Sequence, residues 1–173
     1  MKTKNHIRVT IVAIIALAFL LALDQLTKYL AVNGLKGKGP VTLIPGVLEL
    51  RYLENRGAAF GSLQNMQGFF WILTLVFLAV AVFFFFKMPK TRHYYPLAAC
   101  CVILVAGAVG NFIDRIANQY VVDFIYFSII DFPIFNVADI YISVSFIMIL
   151  ILVFFYYKDG DFQFLSSKNK KTG

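Results

Sequence analysis

Charge is what this sequence has least of. Asp, Glu, Lys and Arg together make up 14% of its 173 residues, against 60% that are hydrophobic. A soluble domain of this length has no interior large enough to hide so much apolar surface, so a water-soluble fold is excluded. Histidine is confined to His6 and His93, and cysteine to the adjacent Cys100 and Cys101. No CxxC spacing exists for zinc or dithiol chemistry, and neighbouring cysteines rarely bond to each other. The pair reads as small apolar packing residues. Low-complexity segments and internal repeats are lacking too.

What the chain does have is four apolar runs, about 9–29, 69–86, 95–113 and 138–157. Each approaches or exceeds the roughly 18–20 residues that cross a bilayer. The expected fold is therefore an all-α membrane protein of four transmembrane helices, built as one integral membrane domain over 1–173. The first run follows a basic head, as a secretory signal peptide does. It is too long for such a segment's apolar core and no small-x-small cleavage site follows it, so it reads as a retained helix.

The formal net charge of +7 would suit nucleic acid, but its distribution excludes that partner. Lys2, Lys4 and Arg8 precede the first run, Lys87, Lys90 and Arg92 fill the second connection, and Lys158, Lys168, Lys170 and Lys171 follow the fourth. With four spans, ten of the sixteen basic residues lie on one side. The positive-inside rule makes that side cytoplasmic, with both termini there and segments 31–68 and 114–137 outside. In the first outer segment, "GPVTLIPGVLELRYLENRGAAFGS" places Gly and Pro around short alternating stretches, the pattern of a small β-like cradle that turns at Asn55-Arg56-Gly57. The second, "NQYVVDFIYFSIIDFPIFN", is too short to span and reads as an interfacial loop or helix with Tyr120 and Tyr126 at headgroup level. The tail 158–173 is polar and expected to be poorly ordered.

The scarce polar residues gather at one depth. Asp24 and Lys28 are four apart on one helical face, in the favourable acid-before-base order. Asn111, Asp114 and Arg115 share a face near the outer end of the third run, where Gly107 and Gly110 admit another backbone closely. Asp114 beside Arg115 reads either as a structural ion pair or as a buttress to a site. Asp123 is flanked by Val121, Val122, Phe124 and Ile125, so burying it without a partner is costly. Asp131 reads as solvated. Asp139, like Asn136, heads the fourth run and is a natural helix cap. Ionisable groups that share one membrane depth mark function. Both histidines fall on the predicted cytoplasmic side, so the chemistry available here is that of carboxylates. Two close carboxylates hold one proton between them, and such a pair can activate water and protonate a leaving amine. The same cluster would also serve to bind a hard cation or to relay protons. Spacing alone leaves these open.

Five blocks, "DQLTK" (24–28), "NRGAAF" (55–60), "AGAVGNFIDR" (106–115), "VVDFI" (121–125) and "FNVAD" (135–139), resemble in order those of the bacterial lipoprotein signal peptidases, the type II enzymes. One departure is Ala106, where the family pattern usually carries glycine. The resemblance implies an intramembrane aspartic endopeptidase that cuts diacylglyceryl-modified prolipoproteins just before the lipid-bearing cysteine. It places the catalytic dyad on Asp123 and Asp139. Asn111 and Asn136 then orient the dyad or hold substrate backbone, Asp114 with Arg115 and Asp24 with Lys28 are supporting pairs, and Asn55 and Gly57 form the outer-loop motif. It implies no cofactor and no metal. It also implies lipid-modified prolipoproteins and membrane lipids as partners, a monomer, and a bacterial cytoplasmic membrane with the site at its outer face. A small proton- or ion-translocating protein is the alternative, although no charge continues into mid-span. A non-catalytic scaffold would leave the polar cluster unexplained.

Overall fold

The structure, a computed structural model, describes residues 2–57 and 67–165. Ala58, Ala59 and Phe60 of the "NRGAAF" block, and Lys168, Lys170 and Lys171, lie outside the described residues. Four apolar helices are present: α1 (Lys2–Leu35), α2 (Gln67–Lys87), α3 (Tyr95–Asn118) and α4 (Val137–Ile151), which ends in a π-helical turn, Leu152–Tyr156. Three, α1, α3 and α4 with its π turn, are long and apolar enough to cross a membrane, and a shorter apolar stretch covers Trp71–Lys87. Their outward faces carry large apolar side chains such as Ile15, Phe19, Ile72, Val80 and Phe146, all more than half exposed. Surfaces of this kind need hydrocarbon against them.

Helix α3 is central and packs against α1, α2 and α4. Its Ala106, Gly107, Ala108 and Gly110 are buried. A methyl group at Gly107 would stand 2.5 Å from the Ala138 carbonyl oxygen, which is how closely α4 crosses α3. The helices overrun the apolar runs, α1 by several residues at each end and α3 by five at its outer end. Hydropathy sets where a helix contacts lipid; capping and turn residues set where it stops, here the left-handed Gly37 and Gln119.

Strands β1 (Val41–Ile44), β2 (Leu48–Asn55) and β3 (Val121–Phe127) form an antiparallel sheet in that order. The cradle expected in the first outer segment is thus present as the β1–β2 hairpin, turned at the left-handed Gly46. The second outer segment departs from expectation. It is no interfacial loop or helix at first: residues to Asn118 prolong α3, and the β-branched and aromatic run that follows is β3, with only Ser128–Ile130 as a short 3-10 turn. That run completes the sheet because β2 offers it a free edge. The register sets Leu53 opposite Asp123 and Asn55 opposite Val121. One side of the sheet packs on the outer end of α1 through Leu50, Tyr52, Val122 and Phe124 against Ala31 and Leu35.

At the opposite end of the bundle Cys100 and Cys101 are buried free thiols in an apolar cluster with Phe85, Met88 and Leu97. The start of the tail is better ordered than its polarity predicts. Asp159–Leu165 forms a 3-10 helix that returns to α3, with Phe162 and Phe164 packed beside Tyr94 and Tyr157. Two aromatic residues on a polar tail supply the apolar area that composition averages away.

Candidate active site

Lys28 anchors the polar layer from below. Its ammonium lies 2.9 Å from Asp24 Oδ2 and 3.0 Å from Asp114 Oδ2. It also donates to Asn111 Oδ1 at 3.0 Å. Lysine and both acids are at most 3% exposed, so each charge depends on the others for compensation. Asp114, expected beside Arg115, forms its ion pair one helix away, because consecutive side chains on a helix diverge by about 100°. Arg115 instead lines a cleft within electrostatic reach of Asp139 and Asp123, and its guanidinium donates to the Asn111 carbonyl at 3.4 Å.

Carboxylate oxygens of this cluster also hold backbone. Asp24 Oδ1 accepts the amide of Ala138 at 3.0 Å, and Asp114 Oδ2 accepts that of Val122 at 3.2 Å. One buried ion cluster therefore fixes where α4 begins and where β3 enters the sheet. Gln25 joins it, donating to Asp24 Oδ2, Asp114 Oδ1 and the Gly110 carbonyl at 3.2–3.3 Å. Gln25 was not anticipated from sequence; an amide beside an acid at the end of an apolar run is the signal that could have found it.

Above the cluster the amides pass order on to two carboxylates. Asn111 Oδ1 accepts from Lys28 and from Asn136 Nδ2, so its Nδ2 faces Asp139 and donates to Oδ1 at 2.7 Å. Asn136 is the N-cap of α4: its Oδ1 accepts the Asp139 amide at 3.0 Å, while its own amide donates to Asp139 Oδ2 at 3.1 Å. That reciprocal box is the cap expected for Asp139. It leaves Asn136 Nδ2 free to donate to Asp123 Oδ1 at 2.6 Å. Asn55 Nδ2 holds the other oxygen of Asp123 at 2.8 Å, and Asn55 is itself oriented by the Gly57 amide at 3.1 Å. All ten residues singled out in the sequence thus meet in one layer drawn from α1, β2, α3, β3 and α4.

Asp123 is 1% exposed. Burial, and then the charge of Asp139, push its carboxyl from its ordinary 3.8 up to about 7, against the opposing pull of Asn55 and Asn136. Both carboxylates line a cleft of about 970 Å³, walled by Leu53 on the sheet, Phe132 and Ile134 on the loop before α4, and Ile140 on α4. Asp131 is exposed at this cleft and accepts the Tyr126 hydroxyl at 2.5 Å, in keeping with the solvated role expected of it. An acid and a carboxylate side by side, in a cleft with apolar walls, can transfer a proton to and from a bound water or amide.

A family model described as signal peptidase (SPase) II matches residues 15–155. The lipoprotein signal peptidase of Streptococcus pyogenes serotype M1 is 38% identical over 149 residues, covering 86% of this chain and 95% of its own. That of serotype M5 (strain Manfredo) is 37% identical over the same share. Two solved structures, each described as a bacterial membrane enzyme, superpose with TM-scores of 0.73 and 0.72 at 35% and 34% identity. They cover 82% and 84% of this chain, and 87% and 94% of their own.

Proposed function

The chain belongs to the signal peptidase II family, and from that premise we propose that it removes signal peptides from diacylglyceryl-modified prolipoproteins by an Asp123–Asp139 dyad. A peptidase of this family in a bacterial membrane needs a water activator and an acid at the membrane surface. The observation that carries the assignment is Asn136, whose Nδ2 lies 2.6 Å from Asp123 and whose backbone amide lies 3.1 Å from Asp139. One residue holds both carboxyl groups at the cleft.

The pair shares one proton, weighted towards Asp123, whose carboxyl titrates at about 7. Asp139 stands at the positive end of α4 and acts as the base. It takes a proton from water as the water oxygen attacks the carbonyl carbon before the lipid-bearing cysteine. Asp123 gives its proton to the carbonyl oxygen. On collapse the C–N bond breaks, the proton held by Asp139 passes to the leaving amine, and a hydroxyl proton of the tetrahedral intermediate returns to Asp123. Arg115 lines the same cleft and would offset negative charge that builds up on the pair. The proposed setting is four spans in a bacterial cytoplasmic membrane, with termini inside, the site at the outer face, and a monomer as the working unit.

The test is cleavage of a purified lipid-modified precursor by the wild type, Asp123→Asn, Asp139→Asn and the double variant. Each single replacement should abolish turnover by about 10³-fold or more, with the double variant scarcely worse, because the groups act as a unit. Asn at 139 keeps an oxygen that can accept the Asn136 amide, and Asn136 still caps the helix, so folding survives. Should Asp123→Asn cleave well while Asp114→Asn is folded and dead, the dyad assignment falls.

A further inference from the structure

Two serines lie two residues apart on α4 and are satisfied differently. Ser145 is 1% exposed, and its Oγ donates back to its own helix, at 2.5 Å to the Tyr141 carbonyl and 3.1 Å to that of Ile142. Back-bonding of this sort is how an apolar helix ordinarily accommodates a hydroxyl. Ser143 is exposed and lines the cleft between Ile140 and Val144. Among the described residues, its hydroxyl has no hydrogen-bond partner. Ile140 and Val144 are 39% and 51% exposed, so the hydroxyl interrupts an apolar wall. An unpartnered polar group beside hydrocarbon is costly, which favours an acceptor arriving with the ligand.

Position identifies which acceptor. Ser143 follows Asp139 by one turn, so both face the same way, with the hydroxyl about 6 Å further along the helix axis. With the scissile carbonyl at the dyad, a cysteine side chain and glycerol laid along the Ile140–Val144 wall would pass Ser143. The strong acceptors there are the two ester carbonyls, which join glycerol to the acyl tails. These are neutral, so a hydroxyl suits them where a cation would remain poorly compensated.

We infer that Ser143 is a specificity-determining residue whose hydroxyl donates to an ester carbonyl of the diacylglyceryl group on the substrate cysteine. This rests on the prolipoprotein reading above. Ile140 and Val144 then flank the acyl tails, and Ser143 distinguishes an ester-linked lipid from one of equal bulk without carbonyls.

The experiment compares a diacylglyceryl precursor peptide with its dialkyl-ether analogue, using purified enzyme in bilayers. Wild type should favour the ester substrate about fivefold, the worth of one neutral hydrogen bond, mainly through KM. Ser143→Ala should lose that preference and cleave the ether analogue as wild type does. Ser143→Thr should keep the preference, while its isostere Ser143→Val should lose it. Equal KM for ester and ether in the wild type, or an equal loss on both substrates in Ser143→Ala, would overturn the inference. A wild type that cuts neither peptide would instead refute the prolipoprotein reading, so the two failures are distinct.

Discussion

Asp123 binds its proton more tightly in the folded protein than in the unfolded chain, so the residue that would do chemistry also sets a pH dependence of stability. Its carboxyl titrates at about 7 against an ordinary 3.8. The sign follows from linkage: the stabilisation is complete below about pH 4, declines as pH rises through the interval, and is gone above about pH 7. Thermal unfolding in detergent should show the wild type losing on the order of 2–3 kcal/mol between pH 5 and pH 8, since each tenfold fall in proton concentration within that interval removes about 1.4 kcal/mol. Asp123→Asn should lack that component; a variant that tracks the wild type across the range would disprove the buried acid. Lys28 offers a second test. Replacing it with Met leaves Asp24 and Asp114 buried without their cation, a change that should cost about 3–5 kcal/mol. An unaltered melting temperature would show that the cluster is not structural. At this scale the sequence was informative about residue type and less so about partners. Acids at one depth marked the layer, but the pairing of Asp114 with Lys28 depends on how α1 and α3 are rotated, which one helix read alone does not carry. The same holds for Gln25, whose three acceptors come from two helices.

The small residues of α3 decide how near α1 and α4 come. A Cβ at Gly107 would stand 2.5 Å from the Ala138 carbonyl oxygen and 2.7 Å from Ile142 Cγ1. Backbone on one side leaves no room to yield, so Gly107→Ala should destabilise by about 1–3 kcal/mol, as overpacking does, with activity falling in step. At Gly110 the added methyl would collide with Asp24 Oδ2 and stand 3.1 Å from its Cγ. That carboxylate holds both Lys28 and the Ala138 amide, so Gly110→Ala should lower turnover beyond what its loss of stability explains. Equal stability and turnover in both variants and the wild type would contradict the close crossing. The stripe of Gly and Ala was readable in the sequence because helix-to-helix approach in a membrane follows small residues directly. The third strand was harder. "VVDFIYF" is β-prone, yet a strand exists only where another edge receives it, and β2 lies some seventy residues earlier in the chain.

For the molecule as a whole, the arrangement in the membrane is the remaining consequence of sequence to be tested. Three helices meet the length and apolarity of a span, and the Trp71–Lys87 stretch is shorter. A fourth crossing there would place both ends of the chain on one side. Ten of the sixteen basic residues would then face the cytoplasm, the arrangement the positive-inside rule favours. Lys90 belongs to that group by position, but it is 4% exposed, with its ammonium on the carbonyls of Phe85 and Met88 at the end of α2. A probe there would report burial, not sidedness. Thr91 and Lys38 are exposed, the first between α2 and α3 and the second between α1 and β1. Single cysteines at these two positions, with Cys100 and Cys101 changed to Ala, should react oppositely with an impermeant maleimide. Lys38→Cys should label in intact spheroplasts, and Thr91→Cys only after the membrane is opened. Because Lys38 leads into the sheet that carries Asn55 and Asp123, its label also fixes the side of the cleft. Labelling of both from outside would mean that α2 does not cross. The basic second connection would then share the outer side with the dyad, against the positive-inside rule, and the four-span arrangement would fall.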